Sequence, residues 1–316
     1  MLDWEEKKRL TEIAHLYYLE DCTQEQISQK VGVSRSLISK LLQKARDLGL
    51  VEIYIKDEDF RIVQLEYQLE QKYGLQDVVV VAASGMTSEA KKREIGRAGG
   101  YYLSKNLKGA ASIGISWGST LLELVKEYPV EQRGEVKVIP LVGGLGTHYV
   151  EIHANQLAYE LAKKMNSSCS YLYAPAIVES KERRDRLVAM KDIYSVLEEG
   201  EDVDVALISV GNPYHEQSTL KVLEYIQDKD LEQLREQGAV ADIASRFVDR
   251  SGNEVNHPVN DRVIGLPLEK LKRIKKVIGV VDGTHKLEGV LAALQGGYID
   301  ALIIDDQTAL TLTNEG

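Results

Sequence analysis

From Asp77 onward, short runs rich in β-branched residues alternate with longer stretches in which apolar residues recur at helical spacing. This alternation is typical of a largely parallel sheet whose strands are joined by helices. We therefore predict a doubly wound α/β domain over residues 77–316, with ligands bound beyond the carboxyl ends of its strands. The runs that predict strands are Val78–Val81, Ala110–Ile115, Val136–Val142, Tyr171–Ile177, Val205–Val210, Val277–Val281 and Ala301–Ile304.

Residues 23–46 have a different pattern, which predicts two short helices joined by a tight turn. Thr23, with Gln26 three residues later, has the spacing of a capping box at the start of the first helix. Gly32 can adopt the left-handed conformation that ends this helix, and Ser34 can cap the second one. The arrangement is that of a helix-turn-helix. The apolar positions predicted to form its core are Ile27, Val31, Val33, Leu37, Ile38, Leu41 and Leu42.

The second of these helices carries a local excess of positive charge. The chain as a whole has 39 basic and 49 acidic residues and a net charge of −10, yet Lys30–Arg46 contains five basic residues and no acidic one. Local positive charge on a recognition helix favours contact with operator DNA. The alternative is a solvated amphipathic helix pair inside another helical domain. The residues predicted to contact DNA are Arg35, Ser36, Ser39, Lys40 and Lys44.

The segment between the two patterns begins with the alternating run Val51–Ile55, which predicts a small wing that closes a DNA-binding domain of residues 1–56. Residues 57–76 then read as a linker helix with a broad apolar face. Two roles remain open for this helix, coupling or dimerisation on the one hand and packing on its own domain on the other. Its apolar positions are Phe60, Val63, Leu65, Tyr67, Leu69 and Tyr73.

Three loops that follow predicted strands have the residues of an anion site. Gly118, Ser119 and Thr120 are placed at a helix N-terminus, where free amides and hydroxyls bind anions. Glycines in the next loop let a ligand approach the backbone, and Lys286 in a late loop could pair with a phosphate. Sharp strand-to-helix turns also require such residues, so one such loop alone is weak evidence for a ligand. The three loops together predict that the domain binds a phosphorylated small molecule. The glycines of the second loop are Gly143, Gly144 and Gly146.

Several classes of protein are disfavoured by what the chain contains. Cys22 and Cys169 form no CxxC pair and the six histidines are scattered, so we expect neither a disulfide nor a metal site, and no cofactor. The first residues lack an apolar signal region, and the longest apolar run, around Val138–Gly146, is too short to span a bilayer. We expect a cytoplasmic protein that does not bind a membrane.

Five segments, distributed over almost the whole chain, follow one another in a characteristic order. They are LYYLEDCTQEQISQKVGVSRSLISKLLQKA, ISWGST, PLVGGLG, ADIASRFVDRSGNEV and KLEGVLAALQGGYIDALIIDD. In them the chain resembles the SorC family of bacterial sugar-responsive transcriptional regulators. The resemblance implies an effector domain similar to phosphosugar isomerases and deaminases, a phosphorylated sugar as effector, and a homo-oligomer, dimer or tetramer, on palindromic operators. Matched to the family motifs, it implies phosphate contacts for Gly118, Ser119, Thr120 and Lys286, sugar or phosphate contacts for Gly143, Gly144 and Gly146, and a hydroxyl contact for Asp242.

Two positions depart from the family pattern. Ala241 stands where many members have glycine, which predicts a stiffer loop before Asp242. Val142 stands where some relatives have a lysine that could form a Schiff base, so covalent capture of a sugar by that residue is excluded. For Asp242, a carboxylate that caps its own loop is an alternative to ligand contact, and for Lys286 the alternative is an exposed surface lysine.

The sequence thus predicts a DNA-binding regulator whose operator affinity depends on a phosphorylated sugar. The main alternative is an enzyme acting on phosphosugars, with an aspartate or histidine as general base. The DNA-binding pattern argues against that alternative, as does the lack of a close pairing of histidine with a carboxylate in the three loops. A nucleotide-binding protein is weaker still, because no GxGxxG or Walker sequence follows a strand.

Overall fold

The computed structural model describes residues 4–51, 60–216, 218–222 and 225–315. The chain divides into two compact units, Met1–Phe60 and Arg61–Gly316. Within the described ranges, no helix is long and apolar enough to cross a membrane.

The N-terminal unit contains three helices, α1 (Trp4–Tyr18), α2 (Gln24–Val31) and α3 (Arg35–Asp47). They share a small core in which Ile13, Ile27, Ile38 and Leu42 are almost fully buried. Ile38 and Leu42 lie one helical turn apart, with Ala45 next in the same buried row of α3. Leu37 lies off this row and is 39% exposed, so its predicted place in the core is wrong.

The predicted helix ends are present in the structure. Thr23 forms the capping box with Gln26, and the Ser34 side chain accepts a hydrogen bond from the Leu37 amide. Gly32 ends α2 in the left-handed conformation, with φ 74°. Of the wing predicted at Val51–Ile55, all but Val51 lies outside the described residues.

Helix α4 (Phe60–Tyr73) packs on the C-terminal unit. Its residues Leu65 and Leu69 join the main core, and the Glu66 carboxylate accepts a hydrogen bond of 2.9 Å from the Val80 amide. The helix thereby covers an edge strand, whose outward amides would otherwise lack partners. This contact supports packing of the helix on its own unit. A second row of apolar side chains on α4 remains exposed: Phe60, Val63 and Tyr67.

The strands of the C-terminal unit are β1 (Asp77–Val81), β2 (Ser112–Ile115), β3 (Lys137–Pro140), β4 (Val205–Ile208), β5 (Val210–Gly211), β6 (Ala239–Ile243), β7 (Arg246–Asp249), β8 (Lys276–Val280) and β9 (Ala301–Asp305). Six of them form one sheet in the order β1-β9-β8-β4-β2-β3, and every pair in it is parallel. The predicted α/β fold with a parallel sheet is confirmed.

Helices cover both faces of this sheet. The helices of this unit after α4 in the described ranges, some of which pack on the smaller sheet instead, are α5 (Ser88–Lys105), α6 (Ser119–Glu127), α7 (Ala154–Met165), α8 (Lys181–Val188), α9 (Lys191–Glu201), α10 (Thr219–Val222), α11 (Asp228–Glu236), α12 (Pro258–Asp261), α13 (Leu268–Leu271), α14 (Leu287–Gln295) and α15 (Asp306–Asn314). Alternate residues of β9 separate the two cores, with Leu302 and Ile304 in one and Ala301 and Ile303 in the other. Strands buried on both faces read as continuous apolar runs, which is why the sequence located them.

Two parts of this unit differ from the sequence prediction. Tyr171–Ile177 is not a strand of the sheet; it is an extended segment with isolated bridges such as Gly144 to Pro175. Conversely, β5, β6 and β7 form a separate antiparallel sheet that the sequence analysis did not predict. Its hairpin turn places Ala244 and Ser245 at φ 49° and 69°, where Asn-Gly is the usual signal.

Candidate functional site

The N-terminal unit presents a polar surface along α3. The side chains predicted to contact DNA are all exposed, and they follow one another on a single helix: Arg35, Ser36, Ser39, Lys40 and Lys44. Lys44 differs from the others because its ammonium group forms an ion pair with Glu6 of α1. A long side chain in an exposed pair exchanges partners at little cost, so this pair leaves Lys44 available to a phosphate.

The C-terminal unit contains a cleft at the carboxyl ends of β2, β4 and β8, with about 720 Å³ of space that includes open solvent. The structure brings five predicted effector residues together there, although they are spread over 169 positions of the sequence from the first to the last. The five are Gly118, Ser119, Thr120, Asp242 and Lys286.

Helix α6 begins at the cleft without a side-chain cap among the described residues. Its N-cap is Gly118, whose φ of 135° disfavours any other residue, and Ser119 and Thr120 are the first helical positions. Uncapped amides at a helix start carry partial positive charge and bind anions. Two details differ from the prediction of free groups. The Gly118 amide donates to the Ile152 carbonyl at 3.1 Å, and the Thr120 hydroxyl is also engaged.

The partner of that hydroxyl is Asp282, a buried residue in the lining of the cleft. Its Oδ1 atom accepts hydrogen bonds from Thr120 Oγ1 at 2.6 Å and from Lys286 Nζ at 2.7 Å. Burial by itself raises the pKa of Asp282, but the charge of Lys286 and the two hydrogen bonds outweigh it and hold the pKa at about 2. Asp282 is therefore ionised, and Lys286 lies in the cleft as predicted but already has an anionic partner.

Asp242 lies in β6 with its carboxylate at the cleft wall. The neighbouring Gly211 makes this position possible, because a Cβ atom there would lie 2.0 Å from Asp242 Oδ1. Burial raises the pKa of Asp242 to about 6, against a hydrogen bond from the Ser245 backbone and the charge of Lys286. The stiffer loop predicted from Ala241 is wrong, because Ala241 is a fully buried strand residue.

Two histidines face each other in the same cleft. The ring centroids of His215 and His285 lie 4.3 Å apart. Burial, followed by the charge of Lys286, lowers the pKa of His285 to about 4, so this ring is neutral at pH 7. The sequence analysis expected no close pairing of a histidine with a carboxylate in the three loops. In the structure the charge of Asp282 raises the pKa of His285 by less than burial and Lys286 lower it, so the two groups interact through charge and do not form a catalytic pair.

Comparison with known proteins assigns a family to this arrangement. Residues 57–314 match a family model described as "Putative sugar-binding domain". A deoxyribonucleoside regulator of Bacillus subtilis (strain 168) is 31% identical over 314 residues, which cover 99% of this chain and 100% of the relative. The chain belongs to the SorC family of sugar-responsive transcriptional regulators.

Two solved structures resemble this SorC-family regulator. The full-length sorbitol operon regulator SorC of Klebsiella pneumoniae has a TM-score of 0.79 at 29% identity, covering 98% of this chain and 99% of that one. A DeoR family transcriptional regulator from Listeria monocytogenes has a TM-score of 0.75 at 40% identity, covering 79% of this chain and 98% of that one. The likeness to the full-length SorC structure extends over nearly the whole chain.

The sequence analysis of this SorC-family regulator did not identify several other residues that line the cleft. Ser88 and Lys92 lie one turn apart on α5, and both line the cleft. The available signal was the position of Ser88 at the helix start after β1, because the carboxyl end of β1 lies at the same edge of the sheet. His215 and Asn212 follow the short strand β5, which the sequence analysis had merged with β4.

The glycines of the GGLG segment lie outside the described lining of the cleft. Gly143 is required by packing, because a Cβ atom there would lie 2.5 Å from the Ala174 carbonyl oxygen. The Gly144 carbonyl accepts a hydrogen bond of 2.8 Å from the Tyr225 hydroxyl, and Gly146 has φ 90°. The segment therefore has structural reasons for its glycines, and the geometry does not support direct ligand contact by them.

Proposed function

We propose that this regulator binds operator DNA through its N-terminal unit and that a phosphorylated sugar in the cleft controls its operator affinity. One observation carries the effector assignment. The uncapped start of α6, with Ser119 and Thr120, faces the same cleft as the ammonium groups of Lys92 and Lys286. Backbone amides, hydroxyls and lysines are the groups that bind phosphate monoesters in proteins.

The opposite polarity of other cleft groups suits the sugar. Asp242, His215 and Asn212 place polar side chains in the lining of the same cleft. A carboxylate such as Asp242 accepts hydrogen bonds from sugar hydroxyls, whereas it would repel a phosphate. We propose that Asp242 contacts a hydroxyl of the sugar and that the phosphate lies toward α6.

On the DNA side, we propose that α2 and α3 form a helix-turn-helix within a DNA-binding domain of residues 1–56. Residues 57–76 would then form the linker helix, and residues 77–316 the effector domain with a fold similar to phosphosugar isomerases. A recognition helix reads base edges from its N-terminal residues, which fits the exposed positions of Arg35, Ser36 and Lys40. We further propose a cytoplasmic homo-oligomer, dimer or tetramer, acting on palindromic operators.

The cleft is proposed to bind its sugar without turning it over. A general acid or base works best when its pKa lies near the working pH. The pKa of His285 is about 4 and that of Asp282 about 2, so neither exchanges a proton readily near pH 7, whereas Asp242, with a pKa of about 6, could do so. The proposal that the cleft only binds its sugar therefore rests on the relatives rather than on these pKa values. The relatives reported above are named as regulators, in agreement with this reading.

Thermal unfolding of the full chain with a ligand panel tests the effector class. The panel contains the phosphates of ribose, deoxyribose, fructose, glucosamine and sorbitol, with each free sugar as its control. Deoxyribose and sorbitol are included because two relatives are named for a deoxyribonucleoside and for sorbitol. We expect at least one phosphate to raise the melting temperature and its free sugar to have no effect, because a ligand bound only by the folded state stabilises it. Preference for a free sugar would contradict the proposal.

Ser119→Ala tests the placement of the phosphate. Loss of a hydroxyl that donates to a charged group costs about 1.5–3 kcal/mol, so affinity for the stabilising phosphosugar should fall at least tenfold. Ser251→Ala, at an exposed turn position, is the matched control and should bind as wild type does. Ser119→Ala is preferred to a change at Gly118, since any side chain at φ 135° would strain the start of α6. Equal affinity in both variants would place the phosphate elsewhere.

A further inference from the structure

The hydroxyl of Thr120 can serve only one acceptor at a time. A threonine hydroxyl carries one hydrogen to donate, whereas a lysine ammonium carries three. In the structure the Thr120 hydroxyl donates its hydrogen to Asp282 Oδ1 at 2.6 Å. The same oxygen also accepts from Lys286 at 2.7 Å. Asp282 therefore already occupies two of the groups that a phosphate at the start of α6 would use.

The Asp282 carboxylate and a phosphate are both negatively charged, so they cannot readily share the donors Thr120 and Lys286. The Asp282 side chain is 6% exposed, and the Lys286 side chain is 14% exposed. In such a weakly screened place, an ionised carboxylate and a phosphate oxygen repel each other strongly at hydrogen-bonding distance from the same donors. A bound phosphate must then displace the carboxylate from Thr120 and share or take over Lys286.

We propose that Asp282 is a resident anion of the cleft, which competes with the phosphate of the effector for Thr120 and Lys286 and thereby sets ligand specificity. The inference rests on the function proposed above. Its consequence is selectivity against free inorganic phosphate. A phosphosugar gains additional contacts from its sugar, which offset the loss of the Asp282 hydrogen bonds. Inorganic phosphate lacks the sugar and must displace Asp282 with the anion contacts alone.

The groups around Asp282 support this role. Thr120 reaches it from α6 and Lys286 from its own loop, while Lys92 of α5 lies near enough for its charge to act on it. The two lysine charges and the Thr120 hydrogen bond keep the carboxylate ionised through the range in which the protein would be assayed. Competition by Asp282 is therefore expected at every pH of a normal binding experiment, without a titration step.

The experiment measures the affinity of the full-length chain for inorganic phosphate. Trp117 lines the cleft, and its fluorescence can report binding in a Trp4→Phe background, where it is the remaining tryptophan. We expect Asp282→Asn to bind inorganic phosphate more tightly than wild type by on the order of tenfold, since a hydrogen bond between charged groups has about that effect on an equilibrium constant. Asp261→Asn removes a carboxylate from an exposed ion pair with Lys181 and should leave phosphate affinity unchanged.

Asp282→Ser is the second variant, because an amide in this buried place could disturb folding. Melting curves establish which variants fold, and either folded variant suffices. Unchanged or weaker phosphate binding in the folded variants would overturn the inference and make Asp282 a residue that positions Lys286. The phosphosugar panel separates this failure from that of the proposed function. If wild type binds a phosphosugar while the Asp282 variants gain nothing for phosphate, only the inference fails. If wild type binds no phosphosugar, the proposed function fails.

Discussion

The surface of α3 and the cleft of the C-terminal unit are built in opposite ways. On α3, the five predicted DNA contacts lie within ten consecutive residues, Arg35–Lys44, and all are exposed. The cleft collects side chains from Ser88 to Lys286, and its central ion pair between Asp282 and Lys286 is largely buried. A surface of the first kind can change without affecting the fold. A site of the second kind is part of the core, so the groups proposed to bind a ligand there also affect stability.

The largest effect is expected from Lys286→Met. The substitution leaves the ionised Asp282 buried without its main partner, and breaking a buried pair in this way typically costs 3–5 kcal/mol, so we expect a loss of about that size. Urea unfolding followed by Trp117 fluorescence in the Trp4→Phe background measures it. Lys181→Met, which breaks an exposed pair with Asp261, should cost far less. An unchanged unfolding free energy would show that another cation, such as Lys92, takes over the pairing.

A somewhat smaller effect is expected from pH acting on Asp242. Burial raises the pKa of Asp242 in the folded state to about 6, from an ordinary value of 3.8. The folded state thus binds more protons than the unfolded state between these two pKa values, so this group lowers stability as pH rises from about 4 to 6, by about 3 kcal/mol in total. Asp242→Asn should lack this decrease. Urea unfolding at pH 4, 5, 6 and 7 tests it, and parallel pH curves for the two proteins would refute the shift.

Substitutions on α3 should weaken operator binding while leaving stability almost unchanged, in contrast to the cleft substitutions. Arg35→Ala and Lys40→Ala remove exposed side chains, so we expect melting temperatures close to that of wild type. Operator affinity should fall by about 1–3 kcal/mol for each lost base contact. Titration of operator DNA at matched salt, together with a melting curve, measures both quantities. Unchanged affinity in both variants would show that α3 is not the recognition helix. A large loss of stability would show that these α3 side chains, like those of the cleft, contribute to the fold.

Lys44→Ala is expected to have the smallest effect. If Lys44 leaves Glu6 and contacts a phosphate of DNA, its removal weakens binding to all sequences alike. The slope of log affinity against log salt should then become shallower by about 1. Lys8→Ala, at an exposed position of α1, is the matched control. Identical slopes for the two variants would assign Lys44 to the Glu6 pair alone.

Predictions from the sequence succeeded where a feature depends on neighbours along the chain. The caps Thr23 and Ser34 and the left-handed Gly32 are local, because each satisfies backbone groups within four residues. Thr87 caps α5 in the same way, with its side chain accepting a hydrogen bond from the Ala90 amide. The parallel strands were found because burial on both faces leaves continuous apolar runs. Leu37 was misplaced because spacing alone does not show which side of α3 faces α1.

The cleft was predicted only in part, for a physical reason. Thr120 and Lys286 were found because each follows a strand, but their common partner Asp282 was not, since 162 residues separate it from Thr120. The hairpin of β6 and β7 was missed because Ala244 and Ser245 occupy left-handed positions without the usual Asn-Gly signal. That hairpin turned Asp242 from a predicted loop residue into a strand residue at the cleft wall.

By itself, the sequence determined the two patterns of the chain, the caps and the turn around α3, the parallel α/β domain and the candidate anion loops. All of these follow from hydrogen bonds and apolar contacts that are local or periodic. Only the tertiary structure decided which loops meet, because the charge, burial and hydrogen bonding of a group depend on neighbours from distant strands. The sequence alone identified Thr120 as a candidate phosphate ligand, from its position at a helix N-terminus after a strand. Its hydrogen bond to Asp282, on which the proposed competition depends, exists only because β2 and β8 carry both residues to the same edge of the sheet.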